Sequence, residues 1–335
     1  MTSCSARILL SACLGLFSFA TSSIVLAQAT SQPLLSTHGP TFTVSKKDLP
    51  AKLTVIEYGD MRFTDPANTV VANPAARKLL VAKIASEHPD AVQLSGDVPY
   101  AGSNAADYAE YALETASWRD AKLRIYPAMG NHEMVGPDKA GDVERWWKAF
   151  PELRDRRWYS VALGKRVYLL SLDSTMDLTP GSPQRIWLED QVAHLDKSVD
   201  FVFIALHHPP VADIQTHIEV DHNPRPNEIS LRDYLSTTAP RAHARFVVVA
   251  GHIHNYERAV RDGVTYLVSG GGGAKPYIVE RTGDDLYQDA DFPNFHYVKF
   301  ALDGKTLNAT MYRLADPTAK SPVWEDKDKF SVLAR

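Results

Sequence analysis

Five short stretches of the sequence carry side chains that could bind metal ions through oxygen or nitrogen. Carboxylates, amides, imidazoles and a phenol supply ligands of the kind that suit Zn, Mn or Fe. A single His-x-His pair is weak support for a metal site, but five ligand-bearing stretches in one chain are hard to explain as ordinary turns. The candidate ligands are Asp60, Asp97, Tyr100, Asn131, His207, His252 and His254.

Each of these stretches directly follows an apolar run that predicts a strand. The predicted strands cover residues 53–58, 91–94, 123–128, 201–206 and 246–250. Open α/β sheets build their ligand sites at the carboxyl ends of strands. We therefore expect the five stretches to converge on one site.

The order of the other elements predicts the fold class. Helical patterns at 73–88 and 104–118 alternate with the early strands, with Asn73 as N-cap and Pro74 at the first helical position. Later residues form mostly strands, and 211–229 has the composition of a long loop, a candidate lid. This order predicts an α/β sandwich of two sheets.

The N-terminal residues predict export. Arg7 precedes an apolar segment, and Ala27-Gln28-Ala29 predicts cleavage after Ala29, so residues 1–29 are a signal peptide and the protein is secreted or periplasmic. Alternatively, Leu10-Ser11-Ala12-Cys13 resembles a lipoprotein box, with lipidation of Cys13. Residues 30–50 are a leader or an edge strand, and 51–335 form the catalytic domain. Both cysteines lie in the signal, which excludes thiolate sites from the mature chain.

The five stretches resemble the ordered motifs of the calcineurin-like metallophosphoesterase superfamily: GDMR, GDVPY, GNHE, HHPP and GHIHNYER. The resemblance spans about residues 53 to 315 and implies an α/β fold, a four-layered α/β/β/α sandwich with a dinuclear metal site at the strand C-terminal ends. Arg62 departs from the superfamily's Asp-x-His, and a guanidinium cannot be a ligand. Gly-Asp-x-x-Tyr, ending at Tyr100, resembles purple acid phosphatases instead.

That resemblance implies a ligand set. The first metal would bind Asp60, Tyr100 and His254, and the second would bind Asn131, His207 and His252, with Asp97 shared. The anionic first set implies Fe(3+), and the neutral second set Zn(2+), Mn(2+) or Fe(2+).

The resemblance also implies a function, the hydrolysis of phosphate monoesters by a metal-bound hydroxide. His132 would protonate the leaving group, or would be a buried structural histidine bonded to Glu133. His217 would face the substrate, with His222 as the weaker candidate. Arg62 would contact phosphate or form a surface ion pair, and His208 would lie behind the ligands or only pack against Pro209.

Two alternative functions stay open. One is a phosphodiesterase or nucleotidase on the same site, and the other is a non-catalytic metal-binding or phosphate-binding protein. The expected partner is a phosphorylated small molecule. The formal net charge of -4 disfavours nucleic acid as a partner. No membrane contact is expected after signal cleavage. A monomer is expected, because few residues separate the signal from the first core strand.

Overall fold

The computed structural model describes residues 39–218 and 222–335. The predicted signal peptide, its cleavage site, the alternative at Cys13 and the first part of the predicted leader lie outside these ranges. Within the described ranges, no helix has the length and apolar character needed to cross a bilayer.

Strands and helices alternate in the first half of the described chain, and strands dominate its end. The helices are α1 Pro74–Ser86, α2 Ala105–Glu114, α3 Ala116–Asp120, α4 Lys139–Ala149, α5 Pro183–Ala193 and α6 Pro226–Thr238. The strands are β1 Phe42–Val44, β2 Leu53–Tyr58, β3 Ala91–Leu94, β4 Ile125–Pro127, β5 Tyr159–Leu163, β6 Val167–Ser171, β7 Phe201–Ala205, β8 Arg245–Ala250, β9 Tyr256–Arg261, β10 Val264–Ser269, β11 Phe295–Asp303, β12 Thr306–Leu314 and β13 Trp324–Leu333.

The strands form two mixed sheets. One has the order β1-β5-β6-β7-β8-β10-β9, and the other has the order β13-β12-β11-β2-β3-β4. Strands β2, β3 and β4 run parallel to one another, as do β6, β7 and β8. Parallel neighbours place their carboxyl ends at the same edge, and this positions the loops that follow them.

Alternate residues of β7 show how the layers pack. Phe203 joins the core between the two sheets, where its ring lies 4.9 Å from that of Phe300. Val202 and Ile204 point the other way, into a second core shared with α5 and α6. Helices α1 to α4 contribute apolar residues to the first core. These contacts confirm the four-layered α/β/β/α sandwich.

Two element boundaries differ from the sequence prediction. The helix expected over 104–118 is divided at Thr115, whose hydroxyl donates to the Tyr111 carbonyl. The loop expected over 211–229 ends earlier, because Pro226 occupies the first turn of α6. Within residues 30–50, Phe42–Val44 forms the edge strand β1 and pairs with β5, in agreement with the edge-strand alternative.

Candidate metal centre

The five ligand-bearing stretches follow β2, β3, β4, β7 and β8, and their loops approach one another closely. A Cβ atom on Gly251 would lie 2.2 Å from Asp60 Oδ2, and one on Gly130 would lie 2.3 Å from Asp97 Oδ1. Glycine is therefore required at both positions. Asp60, Asp97 and His252 have positive φ values of 58°, 54° and 73°. Such strained backbone is concentrated at functional sites.

The side chains predicted for the second metal converge within hydrogen-bonding distance. Asn131 Oδ1 lies 2.8 Å from His207 Nε2 and 3.1 Å from His252 Nδ1. Asp97 Oδ1 lies 3.2 Å from the same nitrogen of His207. Because His207 Nδ1 donates to the Ser95 carbonyl, its Nε2 carries a lone pair that faces two acceptor oxygens. A cation among these atoms would remove the repulsion between their lone pairs.

Two side chains predicted for the first metal face each other without a hydrogen bond between them. Asp60 Oδ1 lies 3.6 Å from His254 Nε2, and both atoms are buried without a hydrogen-bond partner in the described part of the chain. His254 Nδ1 lies 2.6 Å from the Lys275 carbonyl and must donate to it, which leaves Nε2 with a lone pair. Burial and the charge of Asp97 raise the pKa of Asp60, while burial lowers the pKa of His254. These donors fit a metal ion.

Asp97 lies where it can be shared. Candidate ligand atoms of Asp60, Asp97 and His207 all lie within 4.8 Å of one another. Burial raises the pKa of Asp97, but His207, His132 and Arg62 outweigh burial and hold the pKa below its usual range. An ionised carboxylate between the two sets suits a bridging role.

Tyr100 and His132 lie side by side at this centre. Their ring centroids are 5.6 Å apart, and the His132 Nδ1 atom contacts the Tyr100 carbonyl. The backbone N–H of His132 donates to Asp97 Oδ1 at 2.9 Å. His132 is thereby held next to Asp97 through its backbone N–H and through its ring. Ligation by the Tyr100 hydroxyl stays a prediction.

Glu133 has a separate, structural role. Its buried carboxylate accepts hydrogen bonds from the backbone N–H groups of Asp97, Val98 and Gly130, at 2.8 to 3.0 Å. The ring of His132 bonds to the Tyr100 carbonyl instead of Glu133, contrary to the structural alternative for that histidine. Glu133 therefore joins the loops after β3 and β4.

Arg62 extends into the centre. Its Nη2 donates to Asp97 Oδ2 at 3.2 Å, and its side chain is 13% exposed. Its Nε is buried without a partner in residues 39–218 and 222–335. The alternative of a surface ion pair was wrong, because the carboxylate that Arg62 contacts is fully buried.

His208 packs against the ligand histidines. Its ring centroid lies 4.4 Å from that of His252, and Nδ1 bonds to the Ser174 hydroxyl at 2.8 Å. Nitrogens of His207, His208 and His252 are close enough together to hold an ion. His208 is therefore more than a packing partner of Pro209, and its role behind the ligands stays a prediction.

The structure does not bring His217 to the centre. Its side chain is 79% exposed and pairs with Glu280 at 3.2 Å. His222 reaches the centre instead, and its ring is stacked on that of His252. Of the two histidines predicted to face the substrate, the later one therefore lies next to the ligands.

Sequence patterns missed the segment after β10. The Tyr277 ring stacks on His254 with centroids 4.2 Å apart, and its edge meets the ring of His222 at 5.1 Å. No local motif marks Tyr277, so only the tertiary structure identifies it.

Comparisons with known proteins identify the family. The family model for calcineurin-like phosphoesterases matches residues 54–256. A probable purple acid phosphatase of Arabidopsis thaliana is 26% identical over 185 residues, which cover 49% of this chain and 42% of that protein.

Solved structures share the fold. A purple acid phosphatase from yellow lupin (Lupinus luteus) superposes with a TM-score of 0.66 at 18% identity, covering 84% of this chain and 54% of that one. A dimetal phosphatase from Danio rerio superposes with a TM-score of 0.56 at 14% identity, covering 84% of this chain and 99% of that one. The chain thus spans about half the length of the two purple acid phosphatases. The resemblance stated from the five motifs is confirmed, and the chain belongs to the calcineurin-like phosphoesterase family.

Proposed function

We propose that this protein is a metal-dependent phosphatase that hydrolyses phosphate monoesters. The observation that carries the proposal is the convergence of lone pairs from Asp60, Asn131, His207 and His254 around Asp97. Such an arrangement is costly without cations and is suited to two of them. The family and the purple acid phosphatase relative support assignment to the phosphoric ester hydrolases.

The residues divide into two ligand sets. Asp60, Tyr100 and His254 would hold the first ion, and Asn131, His207 and His252 the second, with Asp97 between them. The anionic groups of the first set favour Fe(3+), and the neutral second set favours Zn(2+), Mn(2+) or Fe(2+). Two ions bound here would supply the activation of water and the neutralisation of phosphoryl charge that ester hydrolysis needs.

The surrounding residues bind the ester and move protons. Arg62 has donors left over from its contact with Asp97 and would hold a phosphoryl oxygen. His132 would give a proton from Nε2 to the leaving alkoxide, because its Nδ1 is occupied by the Tyr100 carbonyl. His222 would contact the phosphoryl group from above His252.

The fixed positive charge of Arg62 favours binding of monoesters over diesters. The terminal phosphoryl group of a monoester carries two negative charges near neutral pH, and a diester carries one. Arg62 therefore stabilises a bound monoester more strongly.

Paired assays test this function. The metal-loaded protein should hydrolyse p-nitrophenyl phosphate with a higher kcat/KM than bis(p-nitrophenyl) phosphate, a chelator should abolish both activities, and added metal should restore them. Faster diester hydrolysis would establish the phosphodiesterase alternative. Hydrolysis of neither ester by protein that retains two ions would establish a non-catalytic binding protein.

We also propose export to the periplasm or outside the cell. The apolar segment before Ala29 supports this location. Sequencing the N-terminus of the mature protein should find Thr30 first, whereas a lipid on Cys13 would establish the lipoprotein alternative.

A further inference from the structure

Residues 274–277, here called the strap, contact both of the first-site ligands that face each other. The Ala274 N–H donates to the Asp60 carbonyl at 2.9 Å, and the Lys275 carbonyl accepts from His254 Nδ1. The Tyr277 N–H donates to the His254 carbonyl at 3.1 Å. The strap therefore forms hydrogen bonds with the backbone of both ligands and with the Nδ1–H group of the His254 imidazole.

Tyr277 adds a contact with the imidazole ring itself. Its ring lies over His254 with centroids 4.2 Å apart and an angle of 14° between the planes. The Tyr277 carbonyl accepts from Asn255 Nδ2 at 2.7 Å, so the backbone of Tyr277 is fixed beside the ligand loop. A flat ring at this distance prevents the imidazole from tilting out of the plane in which Nε2 faces Asp60.

The residues that follow the strap are fixed as well. Gln215 Nε2 donates to the Glu280 carbonyl at 2.9 Å, and the Glu280 N–H donates back to Gln215 Oε1 at 2.8 Å. The Asp213 carboxylate accepts from the backbone of Thr282 at 2.8 Å. Tyr277 is therefore presented to His254 by a segment that is anchored on both sides.

We propose that Tyr277 is a positioning residue for the first metal site, and that it acts through the ring of His254. The proposal rests on the two-metal centre proposed above. The second site has its own support, since His207 Nδ1 is held by the Ser95 carbonyl. Removal of a group that orients a metal-ligating histidine typically lowers metal affinity about 10- to 100-fold. Loss of the ring should therefore weaken one site and spare the other.

Calorimetric titration of the metal-free full chain with Zn(2+), with native mass spectrometry to count ions, tests this inference. The wild type should bind two ions. Tyr277→Ala should bind one ion as tightly as the wild type and the other about 10- to 100-fold more weakly. Tyr277→Phe, which keeps the ring, should behave as the wild type, as should Ile278→Ala, a change in the exposed neighbour. Tyr277→Leu provides a variant with a similar volume but without a flat ring, should the alanine variant fail to fold.

Combined variants identify the weakened site. In an Asp60→Ala background, which removes a first-site ligand, Tyr277→Ala should cause no further loss of affinity. In an Asn131→Ala background, its effect should persist.

Equal weakening of both sites, unchanged binding by both Tyr277→Ala and Tyr277→Leu, or a Tyr277→Phe variant as weak as alanine would overturn the proposal. A wild type that binds fewer than two ions would remove the metal centre as well. Two bound ions without ester hydrolysis would overturn the proposed function alone.

Discussion

The rings of His222 and His252 lie nearly parallel, with centroids 4.6 Å apart and 18° between their planes. His217, five residues earlier, is largely exposed and pairs with Glu280. The two histidines of one loop therefore have different surroundings, and this difference permits a matched test.

His222→Ala should lower kcat/KM for a phosphate monoester about 10- to 100-fold, since a hydrogen bond to a charged group contributes about 1.5–3 kcal/mol. His217→Ala should retain wild-type kinetics. Steady-state assays of both variants check this expectation. A larger loss in the His217 variant would show that the loop has a different arrangement during turnover.

Arg62→Gln should weaken binding of inorganic phosphate, because it removes the positively charged guanidinium that contacts Asp97 and is proposed to bind the anion. The expected loss is about tenfold or more, from one charge-assisted hydrogen bond. Arg62→Lys should recover part of it, since lysine keeps the charge without the planar donors. Phosphate inhibition constants measure the effect, with metal content as the control. Unchanged inhibition constants at full metal content would exclude phosphate binding by Arg62.

His132→Gln should lower kcat about 10²- to 10⁴-fold for an alkyl phosphate while both metal ions stay bound. The loss should be smaller for p-nitrophenyl phosphate, because its leaving group needs little protonation. Measuring both substrates separates an acid from a structural residue. Metal loss in parallel with activity, or equal losses on the two esters, would contradict the assignment.

The buried carboxyl group of Glu57 should make the stability of the protein depend on pH. Its carboxylate is 1% exposed, and neither oxygen has a hydrogen-bond partner in the described part of the chain. Burial raises the pKa of Glu57 to about 8. The folded protein therefore keeps a proton that the unfolded chain releases near the ordinary value of 4.5. Because the folded state binds more protons between these values, its free energy of unfolding should fall as pH rises through this window.

Urea denaturation of metal-free protein from pH 5 to 8 measures this effect. Glu57→Gln removes the titrating group, so the variant should gain stability relative to the wild type by up to about 1.4 kcal/mol per pH unit. Glu133 is present in both proteins, so its contribution cancels. A difference that does not change with pH would show that Glu57 is ionised in the folded protein.

The ligand positions could be predicted from local sequence because each follows a short apolar strand. Asp60 and Asp97 follow β2 and β3, which pair in parallel in one sheet, whereas His207 and His252 follow the parallel pair β7 and β8 of the other sheet. Ligand-type residues at the carboxyl ends of both pairs indicated a shared site. The two-sheet fold followed from the same patterns. The division of β7 between two cores agrees with its continuous apolar run, which is typical of a strand buried on both faces.

Contacts that depend on tertiary packing could not be predicted. Choosing between His217 and His222 requires the path of the loop, which composition does not determine. Tyr277 lies 23 residues after His254 in the chain and meets it only because the segment after β10 returns across the centre. The contact of Arg62 with the buried Asp97 could not be predicted either. An arginine after a strand has the same local sequence pattern whether its side chain points toward solvent or toward the interior.

Anomalous diffraction from a crystal of the metal-loaded protein tests the central claim most directly. Two peaks about 3.5–4 Å apart are predicted, because a single carboxylate is to bridge both ions. One peak should contact Asp60, His254 and the Tyr100 hydroxyl, the other should contact Asn131, His207 and His252, and Asp97 should reach both. A single peak, or peaks bound away from Asp97, would contradict the dinuclear centre.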